Sequence, residues 1–139
     1  YLQSFDFNEI KRVRTELGYK GKLVQLIGEN AWNMAPGTDY DYLRKPEGLQ
    51  EIASVADGIG PSLSQVLIDD NKDGIAEVTS LVADAKAAGL VVHPYTFRAD
   101  RLPPFAATFA ELIQLAAEKA GVDGVFTDQP DQALAALAR

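Results

Sequence analysis

The sequence has no cysteine, which excludes disulfides and every metal site built on thiolate. That absence does not fix a compartment, because cytosolic and exported enzymes can both lack the residue. There is a single histidine, so no pair of histidines is available to share acid and base roles. Positive charge is scarce: 13 Lys and Arg stand against 20 Asp and Glu, a net charge of -7. A nucleic-acid partner asks for a basic face, so that class is excluded. No apolar run approaches the ~18 residues of a membrane-spanning helix, and no membrane span is expected. Neither G-x-G-x-x-G nor G-x-x-x-x-G-K-[ST] occurs, which removes the usual phosphate-cradling loops. No Glu-x-Asp pair lies on a strand, and no nucleophile has a visible base. No leader is visible either, although a chain that opens inside a strand could not show one.

What is present is a β/α pattern. Expected strands lie at Tyr1–Ser4, Leu23–Ile27, Gly58–Gly60, Leu90–His93 and Gly124–Thr127. Helices are expected from Asn8 to Leu17, Pro46 to Val55, Ile75 to Ala88, Phe109 to Ala120 and Pro130 to Ala138, with a weaker helical pattern over Ser62–Ile68. The apolar residues of the helices recur at helical spacing, and Gly18, Gly89 and Gly121 stand as stops. The later strand starts recur about every 33 residues, the length of one βα unit. Short apolar strands without alternation fit parallel strands buried on both faces. With 139 residues the chain is one domain. Two architectures fit: an open doubly wound sheet, or part of an eight-stranded barrel. The conspicuous polar and aromatic residues fall just after the strands, at Gln3–Asp6, Glu29–Trp32, His93–Arg98 and Thr127–Asp128. That is where a barrel puts its site.

His93 is a general base or a packed, hydrogen-bonded histidine; it lacks a visible orienting partner, and the packed reading is preferred. Asp69, Asn71, Asp73 and Gly74 match the first half of a calcium loop, but Ser80 stands where a bidentate Glu belongs, so DDNKDG reads as a polar turn. Trp32, Tyr40 and Tyr42 either contact a ligand or pin the long loop that carries them. Lys45, Arg98 and Arg101 read as solvated rim charges, with phosphate contact as the alternative. Asp128 reads as a turn or cap residue, with a hydrogen bond to the site as the sharper alternative.

In order along the chain, YLQSFDFNEIKRV, LVQLI, EIASVADGIGP, LVVHPYTFRADRLP and AGVDGVFTDQPDQAL resemble the C-terminal half of glycerophosphodiester phosphodiesterases, with the bacterial periplasmic branch as the nearest likeness. The resemblance spans nearly the whole chain, residues 1–139. It implies an α/β fold that is an incomplete (β/α)8 TIM barrel, about strands 4 to 8 with covering helices. It implies a parent enzyme, periplasmic or secreted, that hydrolyses a glycerophosphodiester to an alcohol and glycerol 3-phosphate with a divalent cation, Ca2+ or Mg2+. The family's His-Arg-Gly, Glu-x-Asp, His-Asp and Glu-x-Lys motifs are not in this sequence, so the segment itself is expected to supply no catalytic or metal-binding residue, to bind no cation and to be inert alone. By the same resemblance Phe5 lines the glycerol end of the cleft, Tyr95 borders the substrate, and Gln3 shares a strand face with Phe5. The open edge at Tyr1 is expected to pair with the missing N-terminal half or another copy of the chain. The alternative is a non-catalytic half-barrel module that binds a phosphate or polyol ligand.

Overall fold

The computed structural model describes residues 1–138. The first strand, β1 (Leu2–Ser4), leads into α1 (Phe7–Thr15), whose N-cap Asp6 accepts from the Asn8 N–H at 2.9 Å. Strand β2 (Leu23–Ile27) is buried at all five positions. A loop holding a single 3-10 turn, Asn30–Trp32, precedes α2 (Tyr40–Leu43) and α3 (Pro46–Ala53), and β3 follows (Gly58–Pro61). Then come a 3-10 turn at Leu63–Gln65, β4 (Leu67–Ile68), β5 (Glu77–Val78), α4 (Leu81–Ala87) and β6 (Val91–Val92). Last are α5 (Phe109–Gln114), continued as a π turn through Ala120, and α6 (Pro130–Leu137).

The main sheet has the order β1-β2-β3-β6, every pair parallel. Chain order and spatial order agree, with no reversal among the described strands. A doubly wound sheet reverses its order at the ligand crevice; this one steps steadily sideways. Its first strand, β1, lies at the edge. Leu23, Ile27, Ile59 and Val92 face the helices and join Ile10, Leu49, Ile52, Leu112 and Ile113 in one apolar core. On the other face Gly58 and Gly60 leave room for their neighbours. A Cβ on Gly58 would lie 2.8 Å from the Val91 carbonyl oxygen, and one on Gly60 2.7 Å from the Leu26 side chain. No helix among the described residues is long and apolar enough to cross a membrane.

Two aspartates at strand starts repeat one device. Asp57 donates its N–H to the Leu23 carbonyl at 2.8 Å while its carboxylate accepts from the Leu23 N–H at 2.9 Å. Asp123 does the same with Val92, at 2.9 Å in both directions. Asp57 grips the first residue of β2 and Asp123 the last residue of β6, and each fixes the register of the segment that follows it. The recurring sequence Asp-Gly at 57–58 and 123–124 marks the places.

The structure departs from the sequence expectations at three points. Ser62–Ile68 is no helix; it closes in the 3-10 turn and then extends as β4. Ile75–Ala88 is helical only from Leu81. Val78 has helical spacing to Leu81, Val82 and Ala85, but it pairs instead with Leu67 in the antiparallel β4–β5 ladder. The six-residue polar turn returns the chain on itself, and the Thr79 hydroxyl donates to the Gln65 carbonyl at 2.6 Å, which extends the ladder past where the helix was expected to begin. Finally, Gly124–Thr127 runs beside the chain after β6 but forms only one bridge, Thr127 with Phe97. Its hydrogen bonds alternate as a parallel strand's do: Gly124 N–H to Val92 O, Phe126 N–H to Pro94 O, Phe97 N–H to Phe126 O. Pro94 cannot donate, which thins the ladder there.

Candidate functional site

The C-terminal strand ends gather at one end of the sheet, and two residues, Gln65 and Tyr95, hold them in place. Gln65, buried, donates Nε2 to the Gly28 carbonyl at 2.9 Å and to Glu29 Oε1 at 3.0 Å, while its Oε1 accepts from the Ser62 N–H at 2.9 Å. It therefore ties the end of β2 to the end of β3. Tyr95 extends the arrangement to β6: its N–H donates to the Pro61 carbonyl, and its own carbonyl accepts from the Leu63 N–H. The phenol of Tyr95 reaches back and donates to the Ile27 carbonyl at 2.6 Å. Burial, with Tyr40 and the Glu29 carboxylate nearby, pushes that phenol's pKa up to about 12, so it stays a donor at neutral pH.

Phe5 meets Tyr95 edge to face, ring centroids 5.7 Å apart at 83°. Two of the three residues singled out in the sequence are thus brought together, from just beyond the first and fourth strands of the sheet. The carbonyl of Phe5 accepts from Tyr40 Oη at 2.9 Å and from Gln25 Nε2 at 3.0 Å. Gln3 lies on β1 in register with Val24 and is exposed; no side-chain hydrogen bond joins it to the ring pair among the described residues. A hollow of about 350 Å³ lies in the loop from Asn30 to Tyr40. A larger one, about 660 Å³, lies between the β4–β5 turn and Pro104–Phe105 and includes Ser64.

Other candidates resolve as follows. Tyr40 is 1% exposed and pins its loop through Phe5, whereas Trp32 and Tyr42 remain about half exposed. His93 is packed edge-on between Tyr1 and Phe126. Burial holds its pKa below the usual imidazole value, against the opposing pull of Asp123. Arg98 is engaged by Asp100 at 2.8 Å and by Asp128 at 3.4 Å, so Asp128 serves as its partner on the rim. Lys45 and Arg101 are exposed. In DDNKDG the Asp69 carboxylate accepts from the Asp73 and Gly74 N–H groups, and Asp73 from Ile75: a turn held by its own backbone donors.

Sequence reasoning missed Gln25 and Gln65. A signal existed for the first: a Gln inside LVQLI is an amide in a run buried at every position, and such an amide needs partners. No three histidine or carboxylate side chains converge among the described residues. What these residues offer is an apolar wall of two rings, buried amides that fix the strand ends, and a polar rim.

A sheet of parallel strands in sequential order, each leading to its helix, with its polar and aromatic groups at the strand C-termini, defines a βα-repeat protein of the class that builds its sites from strand-end loops. Residues 1–132 match the model of the glycerophosphoryl diester phosphodiesterase family, and the chain belongs to that family. It is 38% identical over 145 residues to a glycerophosphodiester phosphodiesterase of Haemophilus influenzae, covering 94% of this chain and 40% of the relative. It is 32% identical to one of Treponema pallidum, covering 94% and 41%. The fold matches the crystal structure of a putative glycerophosphoryl diester phosphodiesterase from Silicibacter pomeroyi with a TM-score of 0.60 at 24% identity, over 98% of this chain and 37% of that one. The chain spans about two fifths of the length of these relatives.

Proposed function

We propose that these residues form the C-terminal part, about strands four to eight, of a (β/α)8 phosphodiesterase barrel that cleaves glycerophosphodiesters to an alcohol and glycerol 3-phosphate. The observation that carries the reading is the ring pair Phe5–Tyr95 at the strand C-termini, within a chain of the phosphodiesterase family. In this role Phe5 and Tyr95 form the apolar wall against the glycerol carbons, and Gln3 stands on the rim of the same mouth. The phosphate, the divalent cation and the proton-transfer groups belong to residues other than these. On this reading the part alone is inert. The edge of β1 takes up the strand that completes the barrel. The parent's place in the periplasm or outside the cell rests on the sequence resemblance alone.

The test compares release of glycerol 3-phosphate by the isolated 139-residue chain and by the polypeptide as its gene encodes it. Turnover by the longer form only is expected. Metal-dependent hydrolysis by the isolated chain would overturn the division of labour. Tight binding of glycerol 3-phosphate by the isolated chain, with no turnover in either form, would favour a binding module instead.

A further inference from the structure

Gln25 occupies a position that packing alone would give to a hydrocarbon. It lies at the centre of β2, is 0% exposed, and shares its face with Leu23 and Ile27. Its Nε2 donates to the carbonyls of Phe5 and Leu26 at 3.0 and 2.8 Å. Its Oε1 is buried with no hydrogen-bond partner among the described residues. A buried polar atom left unpaired costs folding free energy, whereas an apolar residue of similar shape carries no such cost. Stability therefore does not explain the amide; the contact made by its other end does.

That contact is doubled. Tyr40 donates its hydroxyl to the same Phe5 oxygen at 2.9 Å. Tyr40 is itself tied down, because its N–H donates to Asn30 Oδ1 at 2.8 Å. Two buried donors on one carbonyl fix the plane of the peptide that follows Phe5, and with it the direction in which the Phe5 side chain leaves the backbone. The opposite ring is anchored separately, through Tyr95 Oη on the Ile27 carbonyl at 2.6 Å. Gln25 and Ile27 are both residues of β2, so both rings hang from the same strand although their backbones lie on opposite sides of it.

We propose that Gln25 and Tyr40 are positioning residues: by gripping the Phe5 carbonyl they hold its ring edge-on to Tyr95 and give the glycerol moiety of a bound phosphodiester a wall of fixed shape. The inference rests on the glycerophosphodiester reading above. A wall ordered before the ligand arrives spares the complex the entropy of ordering it. Loss of either donor loosens the ground-state fit to glycerol and leaves bond cleavage itself untouched.

The experiment uses the polypeptide as its gene encodes it, with Tyr40→Phe, Gln25→Leu and the double variant. It uses two substrates, glycerophosphocholine and the glycerol-free diester bis(para-nitrophenyl) phosphate. Each single change is expected to raise KM for the glycerol diester about five-fold while kcat stays within about two-fold. The double variant should fall short of the product of the two, because both donors act on one atom. KM for the glycerol-free diester should not move. Equal losses of kcat on both substrates, the mark of a merely structural lesion, would overturn the proposal, as would an unchanged KM for the glycerol diester. Should Gln25→Leu not fold, Tyr40→Phe, which removes one oxygen atom, carries the test. If the unmodified protein hydrolyses neither diester, the functional reading fails. The grip on Phe5 is then decided by the proton NMR contacts between the Phe5 and Tyr95 rings. Their weakening in Tyr40→Phe supports it and their persistence sinks it.

Discussion

The ring of Tyr1 meets the imidazole of His93 edge-on, centroids 4.9 Å apart at 76°. They adjoin β1 and β6, the first and fourth strands of an order in which two others intervene. Neighbouring strands lie ~4.8 Å apart, so in a flat sheet three steps would separate the first and fourth strands by roughly 14 Å. The contact exists because the sheet curls, and Gly58 and Gly60 of the intervening β3 leave no room for a Cβ beside Val91 and Leu26. Curvature is thus visible in one pair of side chains, and it is the curvature a barrel requires.

The same contact makes His93 an acid-sensitive element. Burial lowers its pKa, while Asp123 opposes the shift. A folded value below the unfolded one means that His93 contributes fully above about pH 6.5 and loses that contribution as pH falls through the folded value. Urea unfolding between pH 7 and 5 should show stability declining with acid, and His93→Gln should flatten that decline. An identical slope in the variant would remove His93 as its source.

Tyr95 predicts the opposite limb. Its phenol is raised from 10.0 to about 12, so the folded state keeps a proton that the unfolded state gives up. The contribution is complete below about pH 10 and disappears as pH climbs through about 12. Tyr95→Phe should lower stability at pH 8 through the lost bond to Ile27, by about 0.5–1.5 kcal/mol. It should also make the alkaline decline shallower. Thermal melts at stepped pH read both effects. Tyr40 and Tyr42, whose phenols are also raised, should leave part of that decline in place.

Gly48 is fixed by close approach. A Cβ there would lie 2.1 Å from the Tyr42 carbonyl oxygen and 2.7 Å from the Leu43 Cα, both backbone atoms that cannot swing aside. Gly48→Ala gains helix propensity but forces α2 and α3 apart, at a net cost of about 1–3 kcal/mol. Chemical denaturation measures it; a stabilised variant would show that α2 and α3 can part without loss.

Asp57 holds the register at the base of the sheet. Its carboxylate accepts from the Leu23 N–H and from Arg14 at 3.1 Å, and Arg14 also donates to the Val55, Tyr19 and Gly21 carbonyls. Asp57→Ala leaves the Leu23 donor unpaired and should cost about 1–3 kcal/mol. Hydrogen exchange at Leu23 and Val24 should quicken more than at β6. Uniform quickening would mean a global loss in place of a local one.

Much of the fold was legible from the chain, and the illegible parts share a cause. Leu23–Ile27 is a strand by local composition, and the structure gives it the same bounds. Ser62–Ile68 and the start of Ile75–Ala88 went wrong because Leu67 and Val78 satisfy each other across a turn, a partnership that no window of one segment contains. In the candidate site, Phe5 and Tyr95 were singled out by resemblance. Their meeting, and the part played by Gln25, Tyr40 and Gln65, were not, because each of those side chains bonds to a residue 20 to 37 positions away.

The sequence by itself determined the alternation of short apolar strands and glycine-stopped helices, and so a parallel sheet with covering helices, because burial on both faces writes itself into local composition. Tertiary structure alone decided that β4 and β5 pair, that the sheet curls until Tyr1 touches His93, and that the Phe5 carbonyl receives two donors. Those outcomes depend on hydrogen bonds and close contacts between segments far apart along the chain. Such pairings are chosen when the whole chain packs.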